Sequence, residues 1–441
     1  MAITIVKNVK LFDGKDVRPD TTVVFDSDAG VIIEVSNNPV SVPADATVVD
    51  GSGHTLIPGL IDAHAHTHLM HGSREAMSYP LLEVALQGGI TTVCDLHCNK
   101  SRIDELWAEI DQEIHQAKQA GAAGRVAKAD LKTALSAATI KGGYPKQMVL
   151  ANHPNAEMHS ILSEWAQVTT ENAAEYVRQN KADGASYIKL MQEDLCCFKL
   201  PPLDLQVPEK SMQEAVIRAA HSENMVVVGH ALSIHSTELL LEAGVDGLAH
   251  TIMDQRPTDH LVDLYKSVNA FVIPTLTILS GHTGFRGDLR EKFGKIGFER
   301  GLLNDIGRKT FLETNRSIAP AHVSCEYSCE SIRRLHQAGI DVVAGTDAAI
   351  GLPGAAFGVG LWFELALYVE ECEMSPLDAL KTATSVSAKR MGFPDRGTVE
   401  VGKRADLVLV KGDVTDKLDY MWEGEGIVKV WKQGIEAALK L

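Results

Sequence analysis

Six side chains in this sequence have the types and spacing to act together on divalent cations: His64, His66, Lys189, His230, His250 and Asp347. Each lies at or beside the C-terminal end of a short apolar, β-branched run. His64 and His66 are one residue apart, so on an extended strand both imidazoles fall on one face and can chelate one ion. Alone, a His-x-His is also what two surface or packing histidines look like. His68 extends the alternation and either orients the site or stands beside it. His230 closes Val-Val-Val-Gly and His250 follows Gly-Leu-Ala. Two further histidines in the same strand-end frame favour ligation over a set of unrelated core histidines. Lys189 is the odd member, because an ammonium in an apolar strand is costly to bury alone. It either pairs with Glu193 or Asp194, or reacts with carbon dioxide to give a carbamate, an anionic ligand able to bridge two metal ions. Spacing leaves both open. Asp347, in Gly-Thr-Asp, can ligate a metal and accept a proton from water, or it can cap the following helix.

The elements that must position these groups read as repeated βα units. Apolar runs at 56–64, 90–96, 125–129, 187–191, 226–231, 246–251, 270–276 and 341–348 alternate with helix-length amphipathic segments. Eight such runs predict an α/β fold of the (β/α)8 TIM-barrel type, whose strand ends converge on one face where sites are built. For the third strand, 148–152 competes with 125–129. The ends of the chain differ from the middle. Alternating runs at 4–11, 21–25 and 31–35, and again at 405–410 and 427–431, predict one small β-sandwich domain built from both termini. The expected division is 1–57 plus 396–441 for that domain and 58–395 for the barrel. The stretch 282–309 reads as an insertion after the seventh run.

Composition narrows the class. The chain has 441 residues, 45% hydrophobic, 23% charged and 5% aromatic, which excludes disorder, collagen and coiled coil. A net charge of −16 offers no basic footprint, so no nucleic-acid partner is expected. The N-terminus alternates like a strand and has no signal-peptide pattern. The longest apolar stretch, 354–369, is interrupted by Glu364 and three glycines, and no membrane span or membrane partner is expected. Seven cysteines without a CxxC pair read as free thiols in a cytoplasmic protein.

The ordered set IPGLIDAHAH (57–66), GASYIKL (184–190), VVVGHA, GLAHT, AGTDA (344–348) and RGTVEVGKRADLVLV (396–410) resembles the metal-dependent amidohydrolase superfamily across essentially the whole chain. The strand-four Lys followed by two His and an Asp looks like its binuclear subtype. That resemblance implies two divalent ions, zinc by expectation, and a CO2-derived carbamate on Lys189. His64, His66 and Asp347 would hold the more buried ion, His230 and His250 the other, and Lys189 both. A bridging hydroxide would attack, with Asp347 as general base and then acid. The branch it looks nearest to holds Xaa-Pro dipeptidases, aminoacylases and ochratoxin-hydrolysing enzymes. That branch is often loosely labelled imidazolonepropionase-related, but true imidazolonepropionases are mononuclear and lack the bridging Lys, so Lys189 argues against that label.

The resemblance implies hydrolysis of an amide in an N-acyl amino acid, dipeptide or ochratoxin-like small molecule bearing a carboxylate, by a homo-oligomer. The same site could act on a cyclic amide, lactam or ester, or as a decarboxylase, and an inactive metal-binding scaffold is the reading from a different class. His282, Arg256, Arg286, Gln192 and Tyr187 are candidate substrate-binding residues. The loop 192–202 and the 282–309 stretch depart from the branch and are expected to border the pocket.

Overall fold

A computed structural model describes residues 2–69, 79–152, 156–200 and 203–439. Its strands fall into two hydrogen-bonding systems. The first comprises β1 (Ile3–Phe12), β2 (Val17–Asp26), β3 (Val31–Ser36), β4 (Thr47–Asp50) and β5 (His54–Pro58), with β14 (Leu407–Lys411), β15 (Ile427–Lys432) and β16 (Ile435–Glu436). They form one eight-stranded sheet, ordered β16-β15-β14-β5-β1-β2-β3 with β4 beside β1. The two ends of the chain meet where β5 pairs antiparallel with β14. Two stacked sheets were expected; the strands make a single hydrogen-bonded sheet instead. β15 and β2 are four strands apart, about 19 Å in a flat sheet at the usual spacing. Yet the Phe25 and Trp431 rings are 5.6 Å apart, so the sheet folds over on itself. Alternation serves both faces: Leu407 and Leu409 join its inner cluster, while Val408 and Val410 pack against the main core.

The second system is parallel: β6 (Leu60–Leu69), β7 (Ile90–Asp95), β8 (Asp130–Thr133), β9 (Tyr187–Met191), β10 (Val226–His230), β11 (Gly247–Ala249), β12 (Phe271–Ile273) and β13 (Ala348–Ile350). Two four-stranded sheets, β13-β6-β7-β8 and β12-β11-β10-β9, are linked at both seams by the parallel bridges Ala138–Leu190 and Val272–Val342. Helices follow the strands, and the architecture is a TIM-barrel-like α/β fold. Ile61, Tyr187, Val228, Phe271, Ile273 and Val343 fill its lower interior.

Two strands differ from their predicted positions. The third is β8, not 125–129: Val126 exchanges backbone bonds with Glu436 and Ala438, so that run serves the C-terminal tail. Its competitor, 148–152, lies in the helix Lys146–Asn152. The eighth run is interrupted by the left-handed φ of 58° at Asp347, and β13 begins only afterwards. The 282–309 stretch is folded into helices Leu276–Thr283, Gly287–Glu299 and Asp305–Leu312. Buried Arg290 ties them together, donating to the carbonyls of Thr277 (2.6 Å), Phe311 (2.9 Å) and Gly354 (2.5 Å). Among the described residues no helix is long and apolar enough to cross a membrane.

Candidate metal centre

β6 delivers the first two ligands through an irregularity that simple alternation does not show. Ile61 and Ala63 face the lower interior, whereas Ala65 joins the outer layer. The pairing of β6 with β7 slips between Asp62 and Ala65, and a bulge of this kind re-aims the side chains beyond it. His64 and His66 thereby point into a cavity. Buried Asp62 holds the bulge, accepting from the backbone of His64 (3.2 Å) and Thr346 (3.1 Å) and from the Thr346 hydroxyl (2.7 Å). Asp95 clamps the strand end through Thr67 N–H and Oγ1, both at 2.6 Å. His68 has its side chain outside the described residues.

His64 Nε2 and His66 Nε2 are 3.3 Å apart, and both approach Asp347 Oδ1, at 3.2 and 3.1 Å. Donors about 2.1 Å from one tetrahedral ion stand about 3.4 Å from each other. The triangle therefore matches a three-ligand metal face, and these three form the metal-competent group among the described residues. Burial raises the Asp347 carboxyl, but the neighbouring charge and hydrogen bonds of His64 and His66 outweigh it and hold it well below the usual range.

Lys189 lies 1% exposed, its Nζ without a hydrogen-bond partner. Burial pulls it down to about 7, against the attraction of Asp347. The ion pair with Glu193 or Asp194 does not form. Glu193 accepts from Leu195 N–H (2.6 Å) and meets His230 Nε2 (2.9 Å), and Asp194 accepts from Cys196 N–H (2.9 Å). His250 packs 4.9 Å from His64 and 4.6 Å from His230, ring to ring, with Thr275 Oγ1 2.6 Å from its Nδ1. His250, Thr275 and Asp347 have φ of 69°, 53° and 58°. Such backbone costs of order 1–2 kcal/mol per residue and concentrates at functional sites.

All six expected ligands line one cavity of about 460 Å³. His282 lines it too; burial takes its imidazole down to about 4. The other four candidates do not line it. Tyr187 sits one inward step below Lys189, its hydroxyl donating to Asp95 O (3.1 Å). Gln192 is buried against Gln213, whose amide donates to it at 2.7 Å. Arg256, with a side chain 67% exposed, pairs with Glu330. Arg286 is likewise engaged, by Asp288, Glu370 and Glu371. Sequence reasoning missed Glu193, Thr275, Tyr144 stacked 4.7 Å from His230, and Trp165 beside His97. Glu193 carried a signal, being the acid nearest a strand end, but was paired with the wrong neighbour.

A model of the amidohydrolase family matches residues 55–436. An imidazolonepropionase of Nocardia farcinica is 22% identical over 430 residues, covering 95% of this chain and 92% of that enzyme. Its namesake from Deinococcus radiodurans is 31% identical over 104 residues, but the match spans only 25% of that enzyme. The crystal structure of a Xaa-Pro dipeptidase with bound methionine superposes with a TM-score of 0.71 at 22% identity, covering 99% of both chains.

Proposed function

We propose, for a chain that belongs to the amidohydrolase family and is therefore a hydrolase of carbon–nitrogen bonds, that it cleaves an amide in a small molecule at a binuclear metal site. The observation that carries this reading is the triangle of His64, His66 and Asp347 donors beside the buried, unpartnered amine of Lys189. Imidazole and carboxylate donors suit zinc. His64, His66 and Asp347 would hold one ion, His230 and His250 the second, and a Lys189 carbamate both. When bound, the ions lower the pKa of water toward neutrality and polarise the scissile carbonyl.

The remaining work belongs to this chain's own side chains. An amine near neutrality at pH 7 adds carbon dioxide: an N–C bond forms, the amine loses a proton, and a neutral group too costly to bury as a cation becomes an anionic ligand. Glu193 fixes the tautomer and rotation of His230, as Thr275 does for His250. Asp347, held anionic, takes the proton of the attacking water at its carboxylate and delivers it to the leaving nitrogen. N-acyl amino acids, dipeptides and ochratoxin-like amides are the candidate substrates. Residues 58–395 would supply the whole site, with 1–57 and 396–441 as a composite support. The seven free thiols accord with a cytoplasmic setting.

The test is turnover of such an amide panel by zinc-replete protein, read by mass spectrometry as gain of one water. Absence of turnover across the panel removes the amide reading, and loss of carbon dioxide instead points to decarboxylation. Lys189→Ala should lose metal and regain activity with added formate or acetate. Unchanged metal content in that variant would remove the carbamate bridge.

A further inference from the structure

The amide-hydrolase reading leaves open what flanks the scissile bond, and the cavity wall away from the ligands bears on that question. Besides the ligands the cavity is lined by Met148, Trp165, Phe198, Leu200 and Ile318, from four separate segments. Trp165 is fixed there by its Nε1–H, which donates to Asn99 Oδ1 at 2.7 Å, and its ring lies edge-on to His97 at 4.2 Å. Phe198 stands edge-on to His282 with centroids 5.6 Å apart. Two anchored aromatic rings on separate segments thus line one cavity and offer it apolar faces suited to a flat group.

Charge on this wall is as informative as its shape. Lys189 is the one Lys or Arg among the described lining residues, and it belongs to the ligand set. The arginines nearby are already engaged. Arg286 faces three carboxylates, Arg290 spends its NH groups on Thr277, Ser280, Phe311 and Gly354, and Arg316 donates to Gly284 O at 2.8 Å. Among the described lining residues a carboxylate held against this wall would meet the imidazoles of His97 and His282 and the amide of Asn315, with no cation outside the ligand set.

We propose that the substrate presents an uncharged, aromatic group to this wall, and that Trp165 and Phe198 select it. The substrate class is then an arylalkyl or aroyl amide without a free carboxylate, in place of the carboxylate-bearing amide expected from the sequence. This inference rests on the amide-hydrolase reading.

A matched pair separates the two. N-phenethylbenzamide has the skeleton of N-benzoylphenylalanine without its carboxylate. With zinc-loaded protein, kcat/KM for the uncharged member should exceed that of the acid at least tenfold. Phe198→Ala should raise KM for it about tenfold with kcat little changed, and Phe198→Tyr should restore it. In metal-free protein, the quench of tryptophan fluorescence by N-phenethylbenzamide should be lost in Trp165→Phe. A preference for the acid, or a Phe198→Ala variant with unaltered KM, overturns the inference and leaves amide hydrolysis standing. No hydrolysis of either compound, or of any other amide, overturns both.

Discussion

The barrel interior has two levels, which stand two residues apart on β9 and β10. Below, Tyr187, Val228 and Phe271 interlock in a wholly buried apolar plug. Above, Lys189, His230 and Asp347 face a cavity, with buried polar atoms left over at Lys189 Nζ, His64 Nδ1 and His282 Nδ1. Regular backbone supports the lower level, and left-handed φ values recur in the upper. The lower level stabilises; the upper is held in a state it would not choose, which is what ligand sites demand. Substitutions should therefore separate cleanly into those that change stability and those that change activity.

The largest effect is expected at Asp347→Asn, which removes a proton acceptor yet keeps shape. Turnover should fall at least a thousandfold, on the order of 4 kcal/mol in the barrier, with most metal retained by elemental analysis. A rate within tenfold of the parent would break the division. Next, Phe271→Ala should cost about 3–5 kcal/mol in denaturant unfolding, because the plug cannot collapse around the void. Well-folded molecules of that variant should still bind metal, and selective metal loss would show the levels to be coupled.

Lys189→Met sharpens the contrast by pH. In the metal-free protein the Lys189 pKa is about 7, against 10.5 when free, so the folded state binds fewer protons between those values. Its stability should thus rise with pH across that window, by about 1.4 kcal/mol per unit at most, and be lost as pH falls toward 7. Lys189→Met should flatten this slope in unfolding titrations; an unchanged slope would mean the amine is not desolvated. Smallest of all, Arg256→Ala should alter stability by less than about 0.5 kcal/mol and activity by less than twofold, since its pair with Glu330 is exposed.

The clustering of the candidate ligands was legible because strand ends converge whatever the loops do: His64, His66, Lys189, His230, His250 and Asp347 needed only the barrel topology to line one cavity. Tyr187 misled for a related reason. It shares a face with Lys189, but 3.3 Å of rise per residue places it in the plug, and depth is invisible in alternation. The bulge at Asp62–Ala65 was hidden too, as the sequence there looks like unbroken strand. Cavity walls come from loops, and loop paths depend on packing across the fold. That is why Trp165 emerged only with the structure, while Phe198 was foreseen only as part of the 192–202 loop that does border the cavity, and why Arg256 was placed at a site it does not reach. Likewise, RVAKA reads as strand and does pair, but with the tail of the chain.

The pairing of β5 with β14 has a consequence for synthesis. β5 runs directly into β6, the strand that carries His64 and His66, and its partner Leu407 lies opposite Pro58. The ribosome must add roughly 350 residues between them, about 20–70 s at 5–20 residues per second. During that interval β5 has only β1 as a paired neighbour, and the strand carrying His64 and His66 waits with one flank of its anchor open. Completion of the sheet that anchors His64 and His66 is thus tied to synthesis of β14, long after the strand carrying them has been made.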